Sequence, residues 1–199
     1  MVVKMEKSAD SRYLVSCSVV GDGMVGKTCL SQAFTMLTMP KDYVATVFEN
    51  YAGTTHANGD EYLVNIFDTA GQHDYASLRQ LTYDDSEVIV LCYSAVDRDS
   101  FNSITEFWVP EIKPNKQRKR PIILVATQTD LRDTTNYDSD MPVSQTEGAT
   151  LAKNIGATCY MECSASDSSS VKKIFTEVVQ AALKCRKRKS NIVHKILGK

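Results

Sequence analysis

The segment Gly21-Asp22-Gly23-Met24-Val25-Gly26-Lys27-Thr28 sets two glycines, a lysine and a threonine at the spacing of a phosphate-binding turn, directly after the apolar run from Tyr13 to Val20. A strand that breaks into glycines and resumes as a helix aims several backbone N–H groups at one point, and the helix dipole makes that point attractive to phosphate. Lys27 adds a charge for the outer phosphates of a nucleotide, and the Thr28 hydroxyl is a ligand for Mg2+. About forty residues on comes Asp68-Thr69-Ala70-Gly71-Gln72. Its carboxylate can hold Mg2+ through water, Gly71 lets its N–H approach a terminal phosphate, and Gln72 can orient an attacking water. In isolation this would be a plain turn; its order after a phosphate loop is what points to chemistry. Two later segments, Thr127-Gln128-Thr129-Asp130 and Glu162-Cys163-Ser164-Ala165, fall at strand ends as well. A carboxylate accepts both the N1–H and the exocyclic amine of guanine, a match that adenine lacks, so Asp130 is the candidate base selector. Taken alone, Asp130 could equally cap the next turn.

These segments need a scaffold that gathers strand ends. Tyr13 to Val20, Tyr62 to Phe67, Val88 to Tyr93, Ile122 to Ala126 and Thr158 to Cys163 read as strands, several too continuously apolar to be half-exposed. Helices are expected over Lys27 to Leu37, over Ser100 to Glu111, and from the Ser144-Gln145-Thr146-Glu147 capping box to about Asn154. Val171, Ile174, Phe175, Val178, Val179 and Ala182 recur at helical spacing and mark a last helix over the sheet. The alternation predicts an α/β fold with a doubly wound, mostly parallel sheet, whose ligands sit at the carboxyl ends of the strands. Asn58-Gly59 reads as a hairpin turn, and no function is assigned to it or to His56.

With 199 residues and 43% hydrophobic content, the chain can bury one core. The net charge of -1 hides an asymmetry: residues 184–199 hold seven Lys/Arg and no acid, so the body is acidic. The six cysteines form no CxxC pair, a reducing-compartment pattern, and Cys17 and Cys92 sit in apolar runs as core residues. No apolar leader, N-myristoylation glycine or run of membrane-spanning length is present, so a cytoplasmic protein is expected.

Gly21 to Thr28 with Cys29-Leu30, Tyr43-Val44-Ala45-Thr46 through Tyr51, Asp68 to Gln72, Trp108-Val109-Pro110-Glu111, Thr127 to Asp130 with Leu131-Arg132, and Glu162 to Ala165 together resemble the Rho family of Ras-like small GTPases. The likeness covers about residues 12 to 183, with residues 1–11 as an extension and 184–199 as a tail. Phe67 before Asp68 and Gln128 are most similar to the cell-division-control branch. The resemblance implies a switch that binds GTP or GDP with Mg2+, its metal ligands being Thr28 and Thr46 and its catalytic residues Gln72, Lys27 and Thr46. The nucleotide site it implies comprises Gly21 to Cys29, Met39, Tyr43, Thr46, Asp68, Ala70, Gly71, Thr127, Gln128, Asp130, Leu131, Ser164 and Ala165. Residues 43–51 would be the effector loop, Asp68 to about Tyr83 the second switch, with exchange factors and GTPase-activating proteins as further partners. Hydrolysis without an activating protein would be slow, on the order of 10⁻⁴ s⁻¹.

The departures carry their own expectations. Met39 stands before Pro40 where the family has a phenylalanine over the guanine. Stacking on an aromatic ring is worth about 1–3 kcal/mol, of which methionine recovers part, so nucleotide loss is expected to be several-fold faster than is usual. Ala45 and His73 alter partner-facing positions, Met24 is bulkier than the family's alanine, and Thr134 to Pro142 leave little room for the family's extra helix. The chain ends Ile196-Leu197-Gly198-Lys199 without a terminal cysteine box, so prenylation there is not expected. Cys185-Arg186-Lys187-Arg188-Lys189, followed by Ile192, Val193, Ile196 and Leu197, instead suits a short amphipathic helix on an anionic membrane. The acidic body argues against nucleic acid as a partner. Two functions stay open: a regulated GTPase switch in cytoskeletal, polarity or trafficking signalling, or a fast-exchanging, largely GTP-loaded adaptor placed by its tail. A small-molecule kinase leaves Asp130 unexplained.

Overall fold

A computed structural model describes residues 13–35, 46–113, 120–133 and 141–196. Six strands, β1 (Leu14–Val20), β2 (Phe48–Ala57), β3 (Asp60–Thr69), β4 (Val88–Ser94), β5 (Ile122–Thr127) and β6 (Cys159–Glu162), form one sheet in the order β2-β3-β1-β4-β5-β6. All neighbours are parallel except the β2–β3 hairpin. That hairpin turns at Asn58 and Gly59, both at positive φ (54° and 92°), the geometry for which Asn-Gly is suited. The helices are α1 (Lys27–Phe34), α2 (Ala76–Asp85), α3 (Arg98–Ser103), α4 (Val109–Ile112), α5 (Gln145–Ile155) and α6 (Ser168–Ile196).

The central strands are buried on both faces because successive side chains point to opposite sides. On β4, Val88, Val90 and Cys92 join the core half that contains Leu30 and Phe34 of α1 and Val171 to Ala182 of α6. Ile89, Leu91 and Tyr93 of the same strand join the half that contains Ile104, Trp108 and the α5 residues Leu151, Ala152 and Ile155. Each fully buried Ile, Val, Leu or Phe contributes about 1.5–3 kcal/mol, so the two apolar halves dominate stability. Phe34 stacks on Phe175 at 4.0 Å, and Gly53 of β2 makes room, since a β-carbon there would lie 2.7 Å from the Phe34 ring.

Local signals set the helix ends. Ser144 and Glu147 form the expected reciprocal box at the start of α5, and Gly156 closes that helix at φ 69°. α3 begins earlier than the sequence implies, at Arg98, because the Asp97 carboxylate accepts the N–H groups of Asp99 and Ser100. The following turn, Ile104–Trp108, is π-helical before α4 resumes the α geometry. α1 ends at Phe34, and residues 36–37 of the expected span lie outside the described residues. Two elements escape the sequence pattern: edge strand β2, most of whose residues are exposed, and the polar helix α2. α6 continues without a break to Ile196 through residues that read as tail. There Arg186 forms a two-pronged ion pair with Glu87 and donates to the Leu14 carbonyl. Among the described residues, no helix is long and apolar enough to cross a membrane.

Candidate active site

β1 is followed by Gly21, at φ 141°, where any side chain would collide with the Cys92 carbonyl at 2.2 Å. Gly26, at φ 87°, is the N-cap of α1, so the backbone between these glycines wraps the helix start as an anion cradle requires. Within the loop, Lys27 is buried and its Nζ donates to the Asp22 carbonyl at 2.6 Å. Burial pushes its pKa down, with Asp68 the first of the groups opposing that shift. A nearby polyphosphate would favour the ammonium form.

The metal-ligand expectation has a geometric counterpart. The hydroxyls of Thr28 and Thr46 meet at 2.8 Å, so the expected effector loop and the phosphate loop converge there. Asp68, next to last in β3, is fully buried, and neither carboxylate oxygen has a partner at hydrogen-bond geometry. Burial pushes its pKa up to about 6, against the Thr28 hydroxyl and the Lys27 ammonium, which favour the charged form. Two threonine hydroxyls beside orphaned carboxylate oxygens fit a hard, oxygen-seeking divalent cation such as Mg2+.

The segment after Asp68 is held from two sides. Ala70 N–H donates to the Val47 carbonyl, linking it to the segment that carries Thr46. Gly71 packs against the phosphate loop so tightly that a β-carbon would lie 2.4 Å from Gly23 N and 2.6 Å from the Gly21 carbonyl. Arg79 of α2, wholly buried, donates through Nη1 to the carbonyls of Ala70 and Gln72 at 3.0 and 2.6 Å. Its other face forms a bidentate pair with Glu111, which also accepts from Tyr83. The Gln72 backbone is thereby fixed while its side chain remains exposed.

Next to this lies a cleft of about 230 Å³ lined by Gly26, Cys29, Leu30, Thr127, Gln128, Asp130, Leu131, Cys163, Ser164, Ala165 and Ser166. Three separate segments, the phosphate loop with the start of α1, the Thr127 to Leu131 loop and the Cys163 to Ser166 turn, thus line one cleft. Thr127 Oγ1 lies 2.5 Å from the Val25 carbonyl and 2.9 Å from that of Tyr93. Gln128, at φ 55°, accepts from Ser94 at 2.5 Å and donates to the Met24 carbonyl at 3.2 Å, tying the Thr127 to Asp130 loop to the phosphate loop. Asp130 is exposed on the rim. Arg132 forms a bidentate pair with Glu162 at 2.7 and 2.8 Å and donates to the Val143 carbonyl, which locks the Asp130 loop to the turn carrying Ser164 and Ala165.

Met24 adopts φ 63° and is 71% exposed, so its side chain leaves the phosphate cradle for solvent. Met39, Tyr43 and Ala45 lie outside the described residues, as do Thr134 to Asp140 of the shortened insert. Sequence reasoning missed the buried charge of Arg79, the partly exposed Arg132–Glu162 pair and the link between Trp108 and Asp22. Arg79 left one signal: with Thr82 and Tyr83 it forms the buried stripe of an otherwise polar helix. A protein-family model, described as the Ras family, matches residues 16–184.

Proposed function

Since the chain belongs to the Ras family, and is therefore a small GTPase that binds GTP or GDP with Mg2+ and exchanges partners with nucleotide state, we propose that it is a Rho-type switch signalling to cytoskeletal, polarity or trafficking effectors. The observation that carries the reading is the convergence of Thr28, Thr46, the unpartnered Asp68 carboxylate and the Gly71 backbone on one phosphate loop. Thr28 and Thr46 would hold Mg2+, with Asp68 acting through water, and the ion neutralises charge on the outer phosphates. Lys27 holds the phosphates as a buried cation, and burial strengthens each such contact by lowering the local dielectric. Asp130 reads the guanine edge. Gln72, with its backbone pinned by Arg79 and its side chain open to solvent, orients the attacking water.

Thr46 and Gly71 would each meet the terminal phosphate, so its loss removes a ligand from both switches at once. With that phosphate in place, effectors would read residues 43–51 and the segment from Asp68 to Tyr83, and the resemblance of Phe67 and Gln128 to the cell-division-control branch supports the Rho-type assignment. Exchange factors and activating proteins act on the same segments.

The cytoplasmic face of an anionic membrane is the proposed location. α6 supports it: Lys184, Lys187, Arg188 and Lys189 are exposed beyond the core, while Arg186 anchors the helix to the body. Each exposed basic residue near such a surface contributes about 1 kcal/mol. Sedimentation with phosphatidylserine vesicles, lost when these four residues are neutralised, tests the location.

The test of function is release of a fluorescent GDP analogue in Mg2+, chased with GTP or ATP, followed by phosphate release from GTP-loaded protein. GTP-driven exchange and slow phosphate release are expected. Equal displacement by ATP would remove the guanine reading.

A further inference from the structure

Trp108 is the chain's single tryptophan, and it is wholly buried at the end of the π-helical turn Ile104–Trp108. A π turn inserts one residue into a helix and re-aims the side chains beyond it. Here the indole Nε1–H reaches into the phosphate loop and donates to Asp22 Oδ1 at 2.7 Å. The face of the same ring lies 4.9 Å from the Arg79 guanidinium carbon, which is within cation–π range. Asp22 is tied at its other end as well, because its carbonyl accepts from Lys27 Nζ. Arg79 in turn holds the carbonyls of Ala70 and Gln72.

A continuous physical path therefore runs from Lys27 through Asp22 and Trp108 to Arg79 and the Gln72 backbone, bridging the group that holds phosphate and the group that places water. We propose that Trp108 is a positioning residue for hydrolysis, coupling the phosphate loop to the Gln72 segment through its N–H on Asp22 and its ring on Arg79. The proposal rests on the switch reading above. Its chemical logic is that an acidic side chain in a loop built for phosphate repels the ligand unless held by a donor, and the indole N–H is that donor. The ring then passes the constraint on, since a shift of the indole moves the guanidinium that fixes Gln72.

The test compares full-length wild type, Trp108→Phe, Asp22→Ala and the double variant. Phenylalanine keeps a ring against Arg79 and removes only the N–H. Single-turnover phosphate release is expected to slow by about tenfold in each single variant, the scale of one charge-assisted hydrogen bond. The double variant should be no slower than the worse single, because both remove one link. Fluorescent GDP release from Trp108→Phe should stay within about twofold of wild type, since a factor of two is only ~0.4 kcal/mol. Wild-type Trp108 emission should differ between the GDP-loaded state and one loaded with a non-hydrolysable GTP analogue, and Asp22→Ala should abolish that difference in a protein with unchanged circular dichroism. A wild-type hydrolysis rate in Trp108→Phe, effects that multiply in the double variant, or emission indifferent to nucleotide would each overturn the coupling. If Trp108→Phe does not fold, the emission arm decides. If wild type hydrolyses no GTP, the switch reading falls, while the emission of Trp108 still tests the link.

Discussion

The backbone of Gly71 stands against that of Gly23 so closely that a β-carbon on Gly71 would lie 2.4 Å from the Gly23 nitrogen. Backbone cannot move aside as a flexible side chain can, so Gly71→Ala must push the segment away from the phosphate loop. Phosphate release from the GTP-loaded variant is expected to fall by more than about tenfold, as misplacement by ~1 Å costs in other sites. GDP should still bind, because the cleft around Asp130 is untouched. Normal hydrolysis in Gly71→Ala would contradict the fit described.

Arg132 and Glu162 lock the two walls of the cleft beside Asp130. The pair is partly exposed, at 20% and 21% of its side chains, so solvent screening limits its worth to about 1 kcal/mol. Arg132→Ala should speed GDP release by about fivefold, with little change in single-turnover hydrolysis. Stopped-flow release of a fluorescent GDP analogue measures it, and an unchanged release rate would show that the walls hold without the pair.

Asp130→Ala removes the acceptor expected to take two guanine N–H groups. A loss of affinity for GDP of about a hundredfold or more follows from two charge-assisted hydrogen bonds, and the preference for GTP over ATP should collapse with it. Competition titrations with the two nucleotides read this directly.

Glu147 contributes a pH dependence of stability. Hydrogen bonds from Arg98 first, then from Ser144, pull its pKa from 4.5 to about 2. The folded state therefore favours the carboxylate, so this stabilisation is complete above about pH 4.5 and is lost as pH falls towards about 2. With 43% of the side chain exposed, the effect is a modest slope. Urea midpoints between pH 5 and pH 3 should fall less steeply in Glu147→Gln than in wild type.

Gly148 lies under the ring ends of two tyrosines, and a β-carbon there would sit 2.3 Å from the Tyr160 hydroxyl and 2.4 Å from that of Tyr93. Overpacking costs about 1–3 kcal/mol, while alanine in a helix regains about 1 kcal/mol over glycine. Gly148→Ala should destabilise by roughly 1 kcal/mol with unchanged nucleotide exchange. A rise in thermal midpoint would mean the tyrosines yield more easily than their mutual hydrogen bond of 3.1 Å implies.

The fold was readable wherever burial imposes a period. β4 and β5 are unbroken apolar runs because both faces are covered, and the Ser144–Glu147 box marks the start of α5 through side chains that satisfy its own backbone. β2 was not readable, because an edge strand with exposed residues and Gly53 has no strict alternation. α2 hid for a related reason: its inward side includes Arg79, a charge that pattern reading assigns to solvent.

The phosphate loop, the Asp68 to Gln72 turn and the candidate base selector Asp130 were set by sequence alone, because each is a short segment whose backbone or single side chain does the work. The tertiary structure decided what spans segments distant along the chain. Trp108 reaches Asp22 across eighty-six positions, Arg79 reaches Glu111 across thirty-two and Arg132 reaches Glu162 across thirty. Local propensity cannot encode such pairs; they exist because the sheet order brings strand ends together, and a buried charge holds only where that packing supplies its partner.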